Sequence, residues 1–109
     1  MITYLSAKTY YLMVSDFMSL EHVTGKDKGK IMLYALSTCI WCKKTKEFLS
    51  SVGVAFDYIY VDLLKGEERA KAIADVKRYN PSTSFPTLVV SDKAIIGFRE
   101  KEIKEALGL

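Results

Sequence analysis

Several things are scarce in this chain, and each shortage excludes a class of protein. Of 109 residues only two are cysteine, Cys39 and Cys42, and one is histidine, His22. A closed zinc site takes four Cys or His ligands, so no metal is expected within a single chain. Two cysteines three positions apart are not the framework of a disulfide-stapled secreted domain either, and the expected compartment is a reducing, cytoplasmic one. No apolar stretch reaches the roughly 18–20 residues that cross a bilayer, so no membrane partner is expected. Basic residues outnumber acidic ones 16 to 13 without any long Lys/Arg run, which argues against a nucleic-acid partner. There is no pyrophosphate loop, internal repeat, linker or low-complexity tract. What remains is one domain, half hydrophobic by composition and long enough for a real core.

The informative part is residues 33–42, Leu-Tyr-Ala-Leu-Ser-Thr-Cys-Ile-Trp-Cys. The apolar run over residues 31–36 reads as a buried strand. It stops at Ser37-Thr38, residues that favour a turn or a helix N-cap. From Cys42 the pattern turns helical, with Cys42, Thr45, Phe48, Leu49 and Val52 on one stripe and Lys43, Lys44, Lys46, Glu47 and Ser50 opposite. The Cys-x-x-Cys therefore sits at a strand-to-helix corner. Three helical residues turn through about 300°, so Cys42 lies on nearly the same side as Cys39, one step further in.

That placement divides the labour between the thiols. A helix N-terminus offers unpaired N–H groups and roughly half a positive charge. The Cys39 thiol is expected to fall from about 8.5 toward the roughly 3.5–7.5 range of such sites. Thr38 and Lys43 are the neighbours expected to tune it. Cys39 is the expected nucleophile, and Cys42 the resolving thiol that attacks the mixed disulfide formed there. A purely structural disulfide would close too small a loop to constrain much unfolded chain. Inert buried thiols belong in mid-strand, not at a helix tip.

Residues 1–29 form an N-terminal extension and 30–109 the main domain. Residues 1–20 are rich in Tyr, Leu, Met and Phe but lack a basic n-region and a small-residue cleavage site, so a secretory signal is not expected. A capping helix, an extra strand and a dispensable extension all stay open, and Met18 is the expected translation start. Residues 20–23 read as a short strand carrying His22 as an ordinary polar residue. A turn at 25–29 would fold it into a hairpin with 31–36. After the first helix, Gly53 serves as its C-cap. A strand spans 54–61, and a helix spans 67–79 with Ala70, Ile73, Ala74 and Val76 inward. Strands at 87–90 and 94–96 form a hairpin, Gly97 breaks the second, and a helix at 99–107 ends the chain. The two early strands, joined by a helix, should be parallel. The fold class is α/β: a four-stranded mixed sheet flanked by helices.

Three features in this order resemble the thioredoxin fold, and specifically its glutaredoxin branch: Cys39-Ile40-Trp41-Cys42, Thr83-Ser84-Phe85-Pro86-Thr87, and Gly97-Phe98-Arg99. The resemblance implies that the Phe85–Pro86 bond is cis and lies beside Cys39, although the residues alone favour trans. It also implies that the Phe85 backbone pairs with an extended substrate segment. Trp41 and Phe85 would rim the site, with Gly97 and Phe98 completing the substrate-binding set; Trp41 and Phe85 also read as ordinary packing residues.

Leu36, Phe98, Arg99 and the Cys39-Ile40-Trp41-Cys42 loop, where Cys-Pro-Tyr-Cys is usual, depart from glutathione-using members. Leu36 stands where they carry a basic residue, and Phe98 replaces the second glycine of a Gly-Gly pair. Gly97-Phe98-Arg99 looks instead like the NrdH-redoxins, which a flavoprotein thioredoxin reductase reduces with NADPH. The expected protein is thus a monomeric dithiol oxidoreductase that reduces protein disulfides. It has no bound cofactor, only a redox-active Cys39–Cys42 disulfide and an external reductant, thioredoxin reductase or glutathione. A conventional glutathione-dependent glutaredoxin, a carrier of an iron–sulfur cluster shared between two subunits, and an adaptor lacking activity are the alternatives.

Overall fold

The computed structural model describes residues 20–109, and the expectations placed on residues 1–19 lie outside it. The strand β2, Ile31–Ala35, is apolar throughout and is covered on both sides. Ile31, Leu33 and Ala35 point into one core with Cys42, Leu49, Phe56, Leu88 and Ile103. Tyr34 points into a second core with Ile59, Ala72, Val76 and Val89. A strand with no polar face must be central, and β2 is. It runs parallel to β3 (Phe56–Tyr60), with Leu33 opposite Tyr58, and antiparallel to β4 (Thr87–Val90), with Leu33 opposite Leu88. The helices α1 (Ile40–Ser51) and α3 (Glu100–Leu107) pack on the first core, and α2 (Gly66–Tyr79) packs on the second. This is a thioredoxin-like sheet with helices on both faces.

Two expectations are corrected. The sheet has five strands in the order β1-β3-β2-β4-β5, with β1 at Glu21–Val23 and β5 at Lys93–Ile96. β1 does not form a hairpin with β2; it pairs antiparallel with β3, His22 opposite Asp57. Both edges of β2 are already taken by β3 and β4, so the free edge belongs to β3. The intervening stretch follows it: the Lys26 amide donates to the Gly53 carbonyl at 2.8 Å, and the Ala55 amide to the Lys26 carbonyl at 2.9 Å. Gly25 is required here, because a Cβ would lie 2.7–2.8 Å from the backbone at 53–55.

The second correction concerns α2. Ala70 and Ala74 are exposed, while Ala72 and Val76 are buried and Ile73 is half-buried. Alanine tolerates either face, so the alanines do not reveal the inward stripe. The stripe is set by Ala72, Val76 and, one turn on, Asn80.

Asn80 shapes the loop that leads to the site. Fully buried, its amide nitrogen faces the Ser84 carbonyl, the Ser84 hydroxyl and the Thr87 hydroxyl, each at 3.0 Å. The Ser82 hydroxyl donates to its oxygen at 2.6 Å. A satisfied buried amide of this kind rigidifies its surroundings, and the next residues are Phe85 and Pro86, joined by a cis peptide bond. Among the described residues no helix is long and apolar enough to cross a membrane.

Candidate active site

β2 ends at Ala35, the Cys39 amide closes a turn onto the Leu36 carbonyl at 3.3 Å, and α1 begins at Ile40. The N-cap is Cys39 itself, and Ser37-Thr38 form the turn before it, the first of the two roles open to them. Its backbone is extended, and its Sγ accepts a hydrogen bond from the Cys42 amide at 3.2 Å. A sulfur thus takes the place of the usual capping oxygen. Thr38 is exposed and makes no side-chain hydrogen bond among the described residues. Both cysteines are free thiols: Cys39 is half-buried, and Cys42 is 2% exposed within the first core.

The environment of Cys42 keeps it protonated. Burial is the main cause of its raised pKa, the hydrogen bond with Cys39 adds to it, and the Leu36 backbone amide opposes it; the result is about 12, against an ordinary 9.0. A folded pKa above the unfolded one stabilises the fold at low pH. That contribution is complete below about pH 9 and is lost as pH climbs toward 12. Urea melts of the reduced protein should therefore lose stability between pH 9 and 11 more steeply than those of Cys42→Ala. The difference should approach about 1.4 kcal/mol per pH unit. Parallel slopes would show that the buried thiol does not titrate in this way. Tyr34, which burial also pushes up to about 12, titrates in both proteins and cancels.

The thiol pair lies between two unlike surfaces. On the β5 side the Trp41 ring, 55% exposed, stacks on Phe98 with centroids 6.3 Å apart, and Phe98 meets Phe48 edge-on at 5.9 Å. Phe85 is half-buried against the same core as Cys39, and its backbone N–H and C=O make no hydrogen bond among the described residues. The Pro86 carbonyl accepts from the Gly97 amide at 2.9 Å, where Gly97 holds a φ of +83°. Of the residues expected to bind substrate, the structure joins Trp41 to Phe98 and Pro86 to Gly97.

On the β3 side is a groove of about 530 Å³, whose lining includes Leu36, Ser37, Cys39, Lys43, Lys46 and Tyr60. Lys43 and Cys39 thus line the same groove. The Lys46 ammonium lies 4.1 Å from the Tyr58 ring centroid and 3.5 Å from the Tyr60 hydroxyl. Desolvation alone would lower its pKa, but the two tyrosines outweigh that and raise it.

Asp62 is a site residue that sequence reasoning missed. The Ser37 amide donates to one of its carboxylate oxygens at 2.8 Å, and the Ser37 hydroxyl donates to the other. Desolvation pushes the Asp62 pKa up; the two Ser37 hydrogen bonds, helped by the backbone amide of Asp62 itself and by the Arg69 charge, more than reverse this and hold it below the usual carboxylate range. The strand register brings Asp62 to Ser37. Ala35 lies opposite Tyr60 in the parallel pair, so two residues further on Ser37 faces Asp62. His22, by contrast, pairs with Asp57 at 2.6 Å on the sheet edge and takes no part.

A free dithiol capping a helix beside the central strand of a thioredoxin-like sheet defines a class, the thioredoxin-fold redox proteins. Within it the chain belongs to the glutaredoxin family, whose profile matches residues 31–95. It is 56% identical to the glutaredoxin of Methanosarcina mazei Go1, covering 84% of this chain and 89% of that one, with a TM-score of 0.79. Identity to the methanoredoxin of Methanosarcina acetivorans is 59%, over 78% of this chain and 90% of that one, with a TM-score of 0.75. The NrdH-redoxin of Escherichia coli, described as a glutaredoxin-like protein with a thioredoxin-like activity profile, is 26% identical. That match covers 71% of this chain and 93% of the other, with a TM-score of 0.57.

Proposed function

We propose that this protein is a thiol–disulfide oxidoreductase that reduces protein disulfides through Cys39 and Cys42. The observation that carries the reading is the asymmetry of the pair: an accessible thiol caps the helix, and a buried, protonated one lies a turn behind it.

The Cys39 thiolate attacks one sulfur of the target disulfide. A Cys39–target disulfide forms, the target S–S bond breaks, and the departing thiolate takes up a proton. Cys39 then no longer presents a thiolate or its hydrogen bond to Cys42, so two of the causes that hold Cys42 protonated are gone. The Leu36 amide remains to favour its thiolate. Cys42 gives up its proton and attacks Cys39 sulfur, the bond to the target breaks, and the second target thiol leaves. The Cys39–Cys42 disulfide then takes two electrons and two protons from an external reductant.

The unpaired backbone groups of Phe85 suit an extended substrate segment, and the exposed Ile40 and Trp41 with Phe98 offer an apolar seat beside it. Cys42→Ser should stop the cycle after its first step. Mixed with an oxidised protein substrate, this variant should accumulate a one-to-one covalent adduct, visible by mass and released by dithiothreitol. Failure to form any adduct would overturn the proposal.

A further inference from the structure

The turn that presents Cys39 is held by very little. It joins β2 to α1, its closing hydrogen bond is the long one between the Cys39 amide and the Leu36 carbonyl, 3.3 Å, and Thr38 contributes no side-chain bond among the described residues. Among the described residues the middle of the turn is gripped by one group, the Asp62 carboxylate, which takes both the amide and the hydroxyl of Ser37. Asp62 belongs to a single 3-10 turn at Val61–Leu63, directly after β3, and is itself exposed, so core packing does not account for it.

We propose that Asp62 is a positioning residue for the dithiol: its clamp on Ser37 holds the Leu36–Cys39 turn so that the Cys39 sulfur stays over the first turn of α1, ready to close onto Cys42. This rests on the reading of Cys39 and Cys42 as the working pair. In the described arrangement Cys39 Sγ lies 3.2 Å from the Cys42 amide, already drawn toward its partner. Freeing the turn gives that sulfur other places to be, which lowers its effective concentration at Cys42. The disulfide should then form less favourably even though neither thiol has been altered. Besides the turn's own Leu36 and Cys39, Asp62 acts on Cys42 through its negative charge, which disfavours a thiolate there. The test has to separate that charge from the clamp.

Reduced protein is equilibrated with oxidised and reduced dithiothreitol, and the oxidised fraction is read by thiol alkylation. In closing the disulfide the protein gives up two electrons and two protons, and oxidised dithiothreitol accepts them. Asp62→Ala should lower the equilibrium constant for closure about tenfold, which for a two-electron couple is about 30 mV. Asp62→Asn loses the charge but keeps a carbonyl oxygen for the Ser37 amide, and should stay within about threefold of the wild type. Ser37→Ala removes only the hydroxyl leg and should fall between them. Added to Asp62→Ala it should cost nothing further, because the two residues act as one unit. Thermal melts of both redox forms complete the set, since a merely structural role lowers both alike and leaves the equilibrium unmoved. A constant within twofold of the wild type for Asp62→Ala overturns the proposal, as does Asp62→Asn falling as far as the alanine. The readout uses no protein substrate, so failure of the clamp and failure of the reductase reading show up separately.

Discussion

Cys39→Ser is expected to lower disulfide-reductase turnover by about a thousandfold or more, leaving no measurable dithiol cycle. A serine hydroxyl is not ionised at neutral pH and is a poor nucleophile toward sulfur. Cys42 offers no substitute. It is 2% exposed, packed with Ala35, Leu49 and Ile103, and held protonated by burial, so it can neither reach an outside disulfide nor ionise readily. The measurement is reduction of a protein disulfide with an excess of small-molecule reductant recycling the enzyme, wild type against variant at equal concentration. The fold should survive, because Cys39 is half-buried and a serine oxygen at an N-cap can accept the Cys42 amide at least as well as sulfur does. Turnover retained in Cys39→Ser would move the nucleophile elsewhere and overturn the order of steps.

The choice of reductant should be almost as large an effect. Turnover with NADPH and a flavoprotein thioredoxin reductase should exceed turnover with glutathione and glutathione reductase by about a hundredfold. Hydrogen bonds to charged groups contribute about 1.5–3 kcal/mol each, and the absence of one or two from a tripeptide site has that consequence. Leu36 supplies no cation at the position where glutathione-using relatives of this fold carry one. Phe98 is not a side chain that could swing aside at no cost: its ring is held between Trp41 and Phe48 at 6.3 and 5.9 Å, where a glycine would leave backbone accessible. The same stack presents a broad apolar surface suited to a protein. The opposing consideration is the groove on the other side of Cys39, lined by Lys43 and Lys46. If glutathione supports turnover equally well, those two ammonium groups provide the charge that Leu36 lacks, and the protein works as a conventional glutathione-dependent member of its family. Running both reductant systems on one substrate decides between them.

Much of this was legible in the residues. The strand-to-helix corner follows from an apolar run that stops at Ser37-Thr38 and resumes with helical spacing at Cys42, and the order of elements after Ile31 follows from period changes and from Gly53, Pro81 and Gly97. Those signals are local: a strand repeats every two residues, a helix every 3.6, and a turn is marked by what its own backbone can adopt. The thiol pair was visible for the same reason, since Cys39 and Cys42 are near each other in sequence and in space.

What the tertiary structure alone decided are the pairings between distant segments. β1 joins β3 because β2 has no free edge, a fact about the whole sheet that residues 20–29 do not contain. The buried stripe of α2 runs through Ala72 and Val76, and only the sheet beneath distinguishes Ala72 from Ala70 and Ala74. Phe98 was read from its position beside Gly97; that it stacks on Trp41 across the gap from β5 to α1 depends on how α1 lies over the sheet. Asp62 reaches Ser37 only because β2 and β3 run parallel in a register that puts Ala35 opposite Tyr60. A shift of a single residue in that register would have turned the slipped strand's side chains to the other face and left Ser37 without its carboxylate. Local chemistry is written in the order of the residues, whereas register is set by the burial of every strand at once.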